Sequence, residues 1–104
     1  MRTQKEIDID FQMAMNEAGR LKEIAEGMGN LAKRDMADNL QSISMNWKGE
    51  NASVYLRKGQ ELSDRIGDTA SDLNDVAVLI ENTARRIYEA EMRALDIANK
   101  RSYE

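Results

Sequence analysis

The sequence contains no cysteine, no histidine and no proline, and each absence removes a class of chemistry or structure. Without cysteine the chain has no disulfide and no thiol nucleophile. Without histidine it lacks the usual ligand of zinc sites and the usual base of acid–base or serine-type catalysis. Without proline, and with only six glycines, long segments are free to form uninterrupted helices.

Long apolar runs are also missing. No stretch approaches the ~20 apolar residues that span a bilayer, and the first ten residues lack the apolar core of a signal peptide. We therefore expect a protein that is cytoplasmic when made, is not stably inserted in a membrane, and leaves the cell, if it does, without a cleavable signal. The net charge of −4 and the scattered basic residues argue against nucleic-acid binding.

Paired carboxylates are the remaining route to catalysis or metal binding, and Asp72 with Asp75, or Glu89 with Glu91, are the pairs to inspect. No glycine-rich phosphate loop and no nucleophile–base set accompanies them. Charged residues make up 33% of the chain, which is typical of solvated helix faces. The sequence therefore predicts that the protein is not an enzyme and has no catalytic residue, metal or cofactor.

The first half of the chain has helical periodicity. From Phe11 to Trp47 apolar or small residues recur at steps of three and four, which predicts a helix over about residues 8–45. Asp8 or Asp10 can cap its start. Gly27 and Gly29 interrupt the pattern, and a close approach of another helix there is favoured over a hinge. The recurring positions between the two aromatic residues are Ala14, Ala18, Leu21, Ala25, Met28, Ala32, Met36, Leu40 and Ile43.

The chain reverses around Trp47-Lys48-Gly49, where the single tryptophan stands. Gly49 can adopt the left-handed conformation that ends a helix and turns the backbone. Trp47 can bury a large ring across the end of the helical pair. We therefore predict a turn at about 46–49, with a second helix over about 50–98.

The second helix contains two apolar columns. The first column has alternating steps of three and four, and the second has small residues seven apart, which favours a helical bundle over a two-stranded coil. The first column is Tyr55, Gly59, Leu62, Ile66, Thr69, Leu73, Val76, Ile80, Thr83, Ile87, Ala90, Ala94 and Ile97. The second is Leu56, Ser63, Ala70, Ala77 and Ala84, then Glu91 and Ala98, and its alanines leave room for the helices of both the chain and a partner.

These patterns predict an all-α fold, a two-helix antiparallel hairpin that forms a single domain over residues 1–104, with a flexible N-terminal tip and C-terminal tail. A hairpin of this size leaves much of its apolar stripe wet, so we expect it to pair into a four-helix bundle dimer. Beyond about Ala90 the longer second helix has no intrachain partner. The predicted partner interface is Leu56, Ala70, Ala77, Ala84, Ala94, Leu95 and Ile97.

A chain of about one hundred residues, helical throughout, with Trp47-x-Gly49 in its central turn, resembles the WXG family of type VII (ESX or Ess) secretion systems. The resemblance covers residues 7–98. It implies a helical hairpin that pairs antiparallel with a second hairpin, as a homodimer or a heterodimer, and is exported without a signal peptide. The implied partners are a second copy or a related hairpin, and the secretion ATPase.

Family members carry an export signal after the second helix, written Y-x-x-x-D/E. Here Tyr88 is followed four positions later by Met92, and Glu91 lies three positions on, so the pair forms a degenerate version of that signal. Tyr88 also follows the core position Ile87, and a packing role is the favoured interpretation.

The resemblance leaves two variants open, a secreted substrate or adaptor and a targeting chaperone for the helical N-terminal domain of a large exported toxin. An alternative of another class is a generic coiled-coil scaffold or assembly protein. In that case the W-x-G sequence is a coincidence.

Overall fold

The computed structural model describes residues 2–102, and they are helical except for two residues at the start and the central turn. Helix α1 spans Gln4–Asn30, a π-helical turn spans Leu31–Met36, α2 spans Ala37–Asn46 and α3 spans Glu50–Ser102. We call residues 4–46 the first arm. The predicted all-helical class is confirmed, and the described residues contain no strand.

Helix α1 begins at Gln4, one turn before the predicted start near residue 8, and Asp8 and Asp10 lie inside it. The reason is a cap at Thr3, whose hydroxyl accepts a hydrogen bond from the Glu6 backbone N–H at 3.2 Å and donates one to the Glu6 carboxylate at 3.0 Å. The spacing Thr3-x-x-Glu6 is that of a capping box. At about 1.5 Å per residue, the extra turn extends the first arm by roughly 6 Å.

The central turn is as predicted. Trp47 takes an extended conformation, and its backbone N–H donates to the Ile43 carbonyl at 2.8 Å. Gly49 has a φ of 114°, a value that side chains disfavour, and this position therefore requires glycine. Its carbonyl accepts the Ser53 backbone N–H at 3.1 Å, which starts α3. The Lys48 side chain donates to the Ser44 carbonyl and closes the end of α2.

The π-helical turn follows from a change in the step pattern of the first arm. Steps of three and four alternate from Phe11 to Met28, and then three successive steps of four lead through Ala32 and Met36 to Leu40. Three successive steps of four contain one residue more than the regular alternation of three and four. A π-helical turn accommodates one more residue than an α-helical turn, so Met36 and Leu40 remain on the apolar side of the arm.

The chain forms two compact units. The turn unit comprises residues 22–74, and its first-arm segment runs antiparallel to the start of α3. The buried residues are small and include Ala25, Ala32, Ala52 and Ala70. Ser63 is the one buried polar residue among them, and its hydroxyl donates to the Ala32 carbonyl in the π-helical turn at 3.0 Å. Small side chains on both segments allow the two helical backbones to approach closely.

The terminal unit comprises residues 2–21 and 75–102. Ile7, Ala18, Ala77 and Ala84 are its buried apolar residues. The Phe11 and Tyr88 rings pack at a centroid distance of 4.8 Å, which places this part of α1 beside this part of α3. Arg2 pairs with the Glu91 carboxylate at 2.8 Å and also with Asp10.

The ends of the chain differ from the sequence prediction in two respects. Glu91 and Ala94 line a small groove together with Arg2 and Ile7, so α3 keeps intrachain neighbours beyond Ala90. The early start of α1 supplies them. Residues 99–102, predicted to be a flexible tail, continue α3. The remainder of the predicted tip and tail, residues 1 and 103–104, lies outside the described residues.

Candidate interaction surface

The two columns of α3 have different surroundings. The small column is buried within each unit: Ser63 and Ala70 in the turn unit, Ala77 and Ala84 in the terminal unit. The first column is mixed: Ile66, Leu73 and Ile80 are half-buried, whereas its other large residues are exposed, and Leu62 is 53% exposed. Because only small residues fit where two helical backbones come close, the alanine column faces the first arm and the larger side chains are left outside.

The residues predicted to meet a partner therefore fall into different environments. Ala70, Ala77 and Ala84 are already buried by the chain itself, and the surface that we infer below excludes them. The remaining four predicted residues lie on α3 with more exposure: Leu56 and Leu95 are half-buried, and Ala94 and Ile97 are exposed.

We use the name apolar face for the side of α3 that carries the exposed large residues of its first column: Tyr55, Leu62, Val76, Ile87 and Ile97. In the turn unit this face contains an open groove of about 330 Å³, lined on the first-arm side by Met36, Asn39, Leu40 and Ile43 and on the α3 side by Tyr55, Lys58, Gly59 and Leu62. Most of the lining is apolar, although the groove is open to solvent.

Gly59 gives this groove its shape. A Cβ atom at Gly59 would lie 2.5 Å from the Cδ2 atom of Leu40, so the glycine makes space for that leucine between the arms. Gly27 and Gly29 behave differently. A Cβ atom at either position would have no neighbour within 4 Å, so the expected close approach of another helix is not found there within the chain.

Trp47 lies at the turn end of the same unit and is not buried across it, as the sequence interpretation had suggested. Its side chain is 47% exposed, and its ring packs against Tyr55, also half-exposed, at a centroid distance of 5.9 Å. The extended backbone at Trp47 directs the ring along the side of α3 rather than into the space between the helices. Half-exposed aromatic rings of this kind are the residues that often contribute most to binding at a protein interface.

The opposite side of the turn unit is polar. It contains an open groove of about 430 Å³ whose walls carry Gly29 and Gly67. The polar residues that line this groove are Lys22, Glu26, Asn30, Lys33, Ser71 and Asn74. The turn unit therefore carries large apolar side chains along one side and mostly polar side chains along the other.

The two residues of the degenerate export signal lie in the terminal unit and are both engaged there. Tyr88 packs on Phe11, and its hydroxyl donates to the Asp8 carboxylate, which raises the pKa of Tyr88. The negative charge of Asp8 and partial desolvation act in the same direction. Glu91 is held by Arg2. This geometry agrees with the favoured interpretation of Tyr88 as a packing residue.

Residues 2–102 contain no group of three or more acidic, cysteine or histidine side chains placed to hold a metal ion. None of the helices described is long and apolar enough to cross a membrane. Comparison with known proteins gives no significant match to a family model, a curated protein or a solved structure.

Proposed function

We propose that this protein is a type VII secretion substrate or adaptor that acts by pairing its apolar face with a second helical hairpin, so that the two form a four-helix bundle. The observation that carries the proposal is the placement of the large apolar residues. The chain buries its alanines and leaves Tyr55, Leu62, Val76 and Ile87 exposed on one side of α3. A row of exposed large apolar residues along one side of an amphipathic helix is the pattern of a helix that has a partner.

The link to secretion rests on the resemblance of Trp47-x-Gly49 in the central turn of a helical chain of this length to the WXG family. The left-handed Gly49 and the half-exposed Trp47 support it, because they give the motif a backbone role and a recognition role at the same turn. The secretion ATPase is the partner that this function requires in the producing cell.

A chaperone for a large exported toxin is the second candidate. The observation that favours it is the engagement of Tyr88 and Glu91, which contact Asp8 and Arg2 within the chain. A chaperone would use the same apolar face and receive its export signal from the toxin. Co-purification from the native host distinguishes the two candidates. A substrate or adaptor should co-purify with its dimer partner, whereas a chaperone should co-purify with a large toxin.

Mass measurement by light scattering at low micromolar concentration tests the pairing. We expect a dimer for the wild type or for a complex with its native partner, and a monomer for the variant Leu62→Glu/Val76→Glu. The matched control is Ser71→Glu, which places the same charge on the polar side of the same helix and should leave the mass unchanged. A wild-type protein that is a folded monomer without any partner would contradict the proposal.

Export is tested separately by deleting the type VII ATPase of the host. The extracellular amount of the protein should fall to background, while its intracellular amount is kept. Unchanged extracellular amounts, together with an intact dimer, would instead support a generic coiled-coil scaffold.

A further inference from the structure

The apolar face of α3 is bordered by a basic column. Residues spaced by seven along the helix are Lys58, Arg65, Arg86, Arg93 and Lys100, with Asp72 and Leu79 at the two positions between. Lys58 lies four positions before Leu62, and Arg93 lies four positions before Ile97, so the basic column and the apolar face are neighbours on the helix surface. Within residues 2–102, Lys58, Arg65 and Arg93 form no ion pair.

The first arm carries the opposite charge in the terminal unit. Glu6, Asp10 and Glu17 follow one another at steps of four and seven and therefore lie along one side of α1. Asp10 lines the same groove as Ile87, which places this acidic side next to the apolar face. Asp10 and Glu17 have local partners in Arg2 and Arg20, yet the side chains of both remain more than half exposed.

The acidic side of α1 and the basic column of α3, which we call the acidic and basic borders, overlap along the helix axis in the terminal unit. The Arg2–Glu91 ion pair and the Phe11–Tyr88 ring contact set the antiparallel register of its two segments. In that register Glu6 and Asp10 stand level with the stretch of α3 between Arg86 and Arg93.

The symmetry of a dimer decides which borders meet. If the two-fold axis runs along the helices, the first arm of one copy lies on α3 of the other, and the turns of both copies are at the same end. If the axis is perpendicular to the helices, α3 lies on α3. The second arrangement brings two basic columns together, which is unfavourable, whereas the first brings acidic and basic borders together.

We propose that the partner of the apolar face is a second copy of this chain in the same-end orientation, with Glu6 and Asp10 of each copy facing Arg86 and Arg93 of the other. The inference rests on the proposed pairing function and adds to it the identity and direction of the partner. It differs from the antiparallel pairing that the family resemblance implies.

Charge reversal tests the borders. The variant Arg86→Glu/Arg93→Glu should dimerise roughly tenfold more weakly than the wild type at low salt, and the difference should shrink at high salt. Adding Glu6→Lys/Asp10→Lys to the same chain should restore dimerisation, because each acidic border then meets a basic one again. The control Arg57→Glu/Arg85→Glu makes the same change of net charge on the polar side and should have little effect. Circular dichroism checks that each variant is folded.

Mixing experiments distinguish the two orientations. In the same-end dimer, a wild-type copy paired with Arg86→Glu/Arg93→Glu has one favourable and one unfavourable pair of borders, so its affinity falls between those of the two homodimers. If α3 lay on α3, with position 48 of one copy beside position 96 of the other, Arg86 would lie opposite the basic Lys58. The mixed pair would then be tighter than the wild-type homodimer, and the variant homodimer would be tighter still. That result would overturn the proposed orientation.

A direct distance measurement completes the test, because the absence of cysteine allows single labels. Spin labels on Lys48→Cys should give a short distance between the two copies in the same-end dimer. A short distance seen only when Lys48→Cys is mixed with Asp96→Cys would show the opposite orientation and overturn this inference while leaving the pairing function intact. A protein without any dimer would contradict both.

Discussion

At the scale of single residues, Trp47 shows why a motif's position does not define its environment. The sequence places the tryptophan beside the turn, but the extended backbone at Trp47 leaves its ring 47% exposed against Tyr55. We expect Trp47→Ala to lower the free energy of unfolding by about 1 kcal/mol, well below the roughly 3–5 kcal/mol lost when a buried tryptophan is truncated. Urea denaturation of the monomeric Leu62→Glu/Val76→Glu background measures this value, and a loss above about 3 kcal/mol would mean a buried ring.

The hydrogen bond between Tyr88 and Asp8 makes a second residue-scale prediction. It favours the neutral phenol, so the pKa of Tyr88 is raised in the folded protein. The contribution of the bond to stability is therefore complete below the ordinary tyrosine pKa of about 10 and is lost as the pH rises through the higher folded value. Absorbance at 295 nm during alkaline titration should lose its latest-titrating portion in Tyr88→Phe. Loss of an early portion would contradict the bond.

Two glycines of α3 allow a matched comparison. Gly67→Ala should raise the free energy of unfolding by about 0.5–1 kcal/mol, since its new Cβ would have no neighbour within 4 Å and alanine favours the helix. Gly59→Ala gains the same propensity but must displace the Leu40 side chain, so we expect no net gain or a loss. Thermal unfolding of both variants at one concentration measures the difference. Equal stabilisation would show that Leu40 repacks at no cost.

At the scale of elements, the π-helical turn yields a prediction about deletions. Removing the exposed Arg34 restores an even alternation of three- and four-residue steps, so the turn should become ordinary α-helix with little loss of stability. Removing the exposed Glu23 from regular helix instead rotates Ala25 and Met28 away from the core and should cost about 2 kcal/mol or more. Urea unfolding of the two deletion variants compares them. Similar losses in both would show that the extra residue does not cause the π-helical turn.

The elements themselves could be predicted from the sequence, because the steps of three and four are long and uninterrupted and Gly49 marks the turn. The predicted N-terminal boundary is wrong because Thr3-x-x-Glu6 is a capping signal that comes before Asp8 and Asp10 and starts the helix. The π-helical turn also had a signal, the three successive steps of four. The sequence does not show which column of α3 faces the first arm, because both columns are apolar. The distance between the two helical backbones decides whether alanine or leucine fits between them, and that distance is known only from the structure.

At the scale of the whole molecule, the described core is made of small side chains. Its buried apolar residues are alanines and Ile7, and no large side chain among the described residues is fully buried. Burial of a large apolar side chain contributes about 1.5–3 kcal/mol, and alanine contributes far less. The isolated chain therefore forgoes part of the stabilisation that its large apolar residues could supply, and a second copy on the apolar face would recover some of it.

This leads to a prediction about stability and concentration. When folding is coupled to dimerisation, the unfolding midpoint rises with protein concentration, because mass action favours the associated state. We expect the thermal midpoint of the wild type to increase by several degrees between about 1 and 100 µM, since each tenfold in concentration corresponds to about 1.4 kcal/mol per mole of dimer. The Leu62→Glu/Val76→Glu variant should show a lower midpoint that does not depend on concentration. A wild-type midpoint that is also independent of concentration would mean that the alanine core alone stabilises the fold.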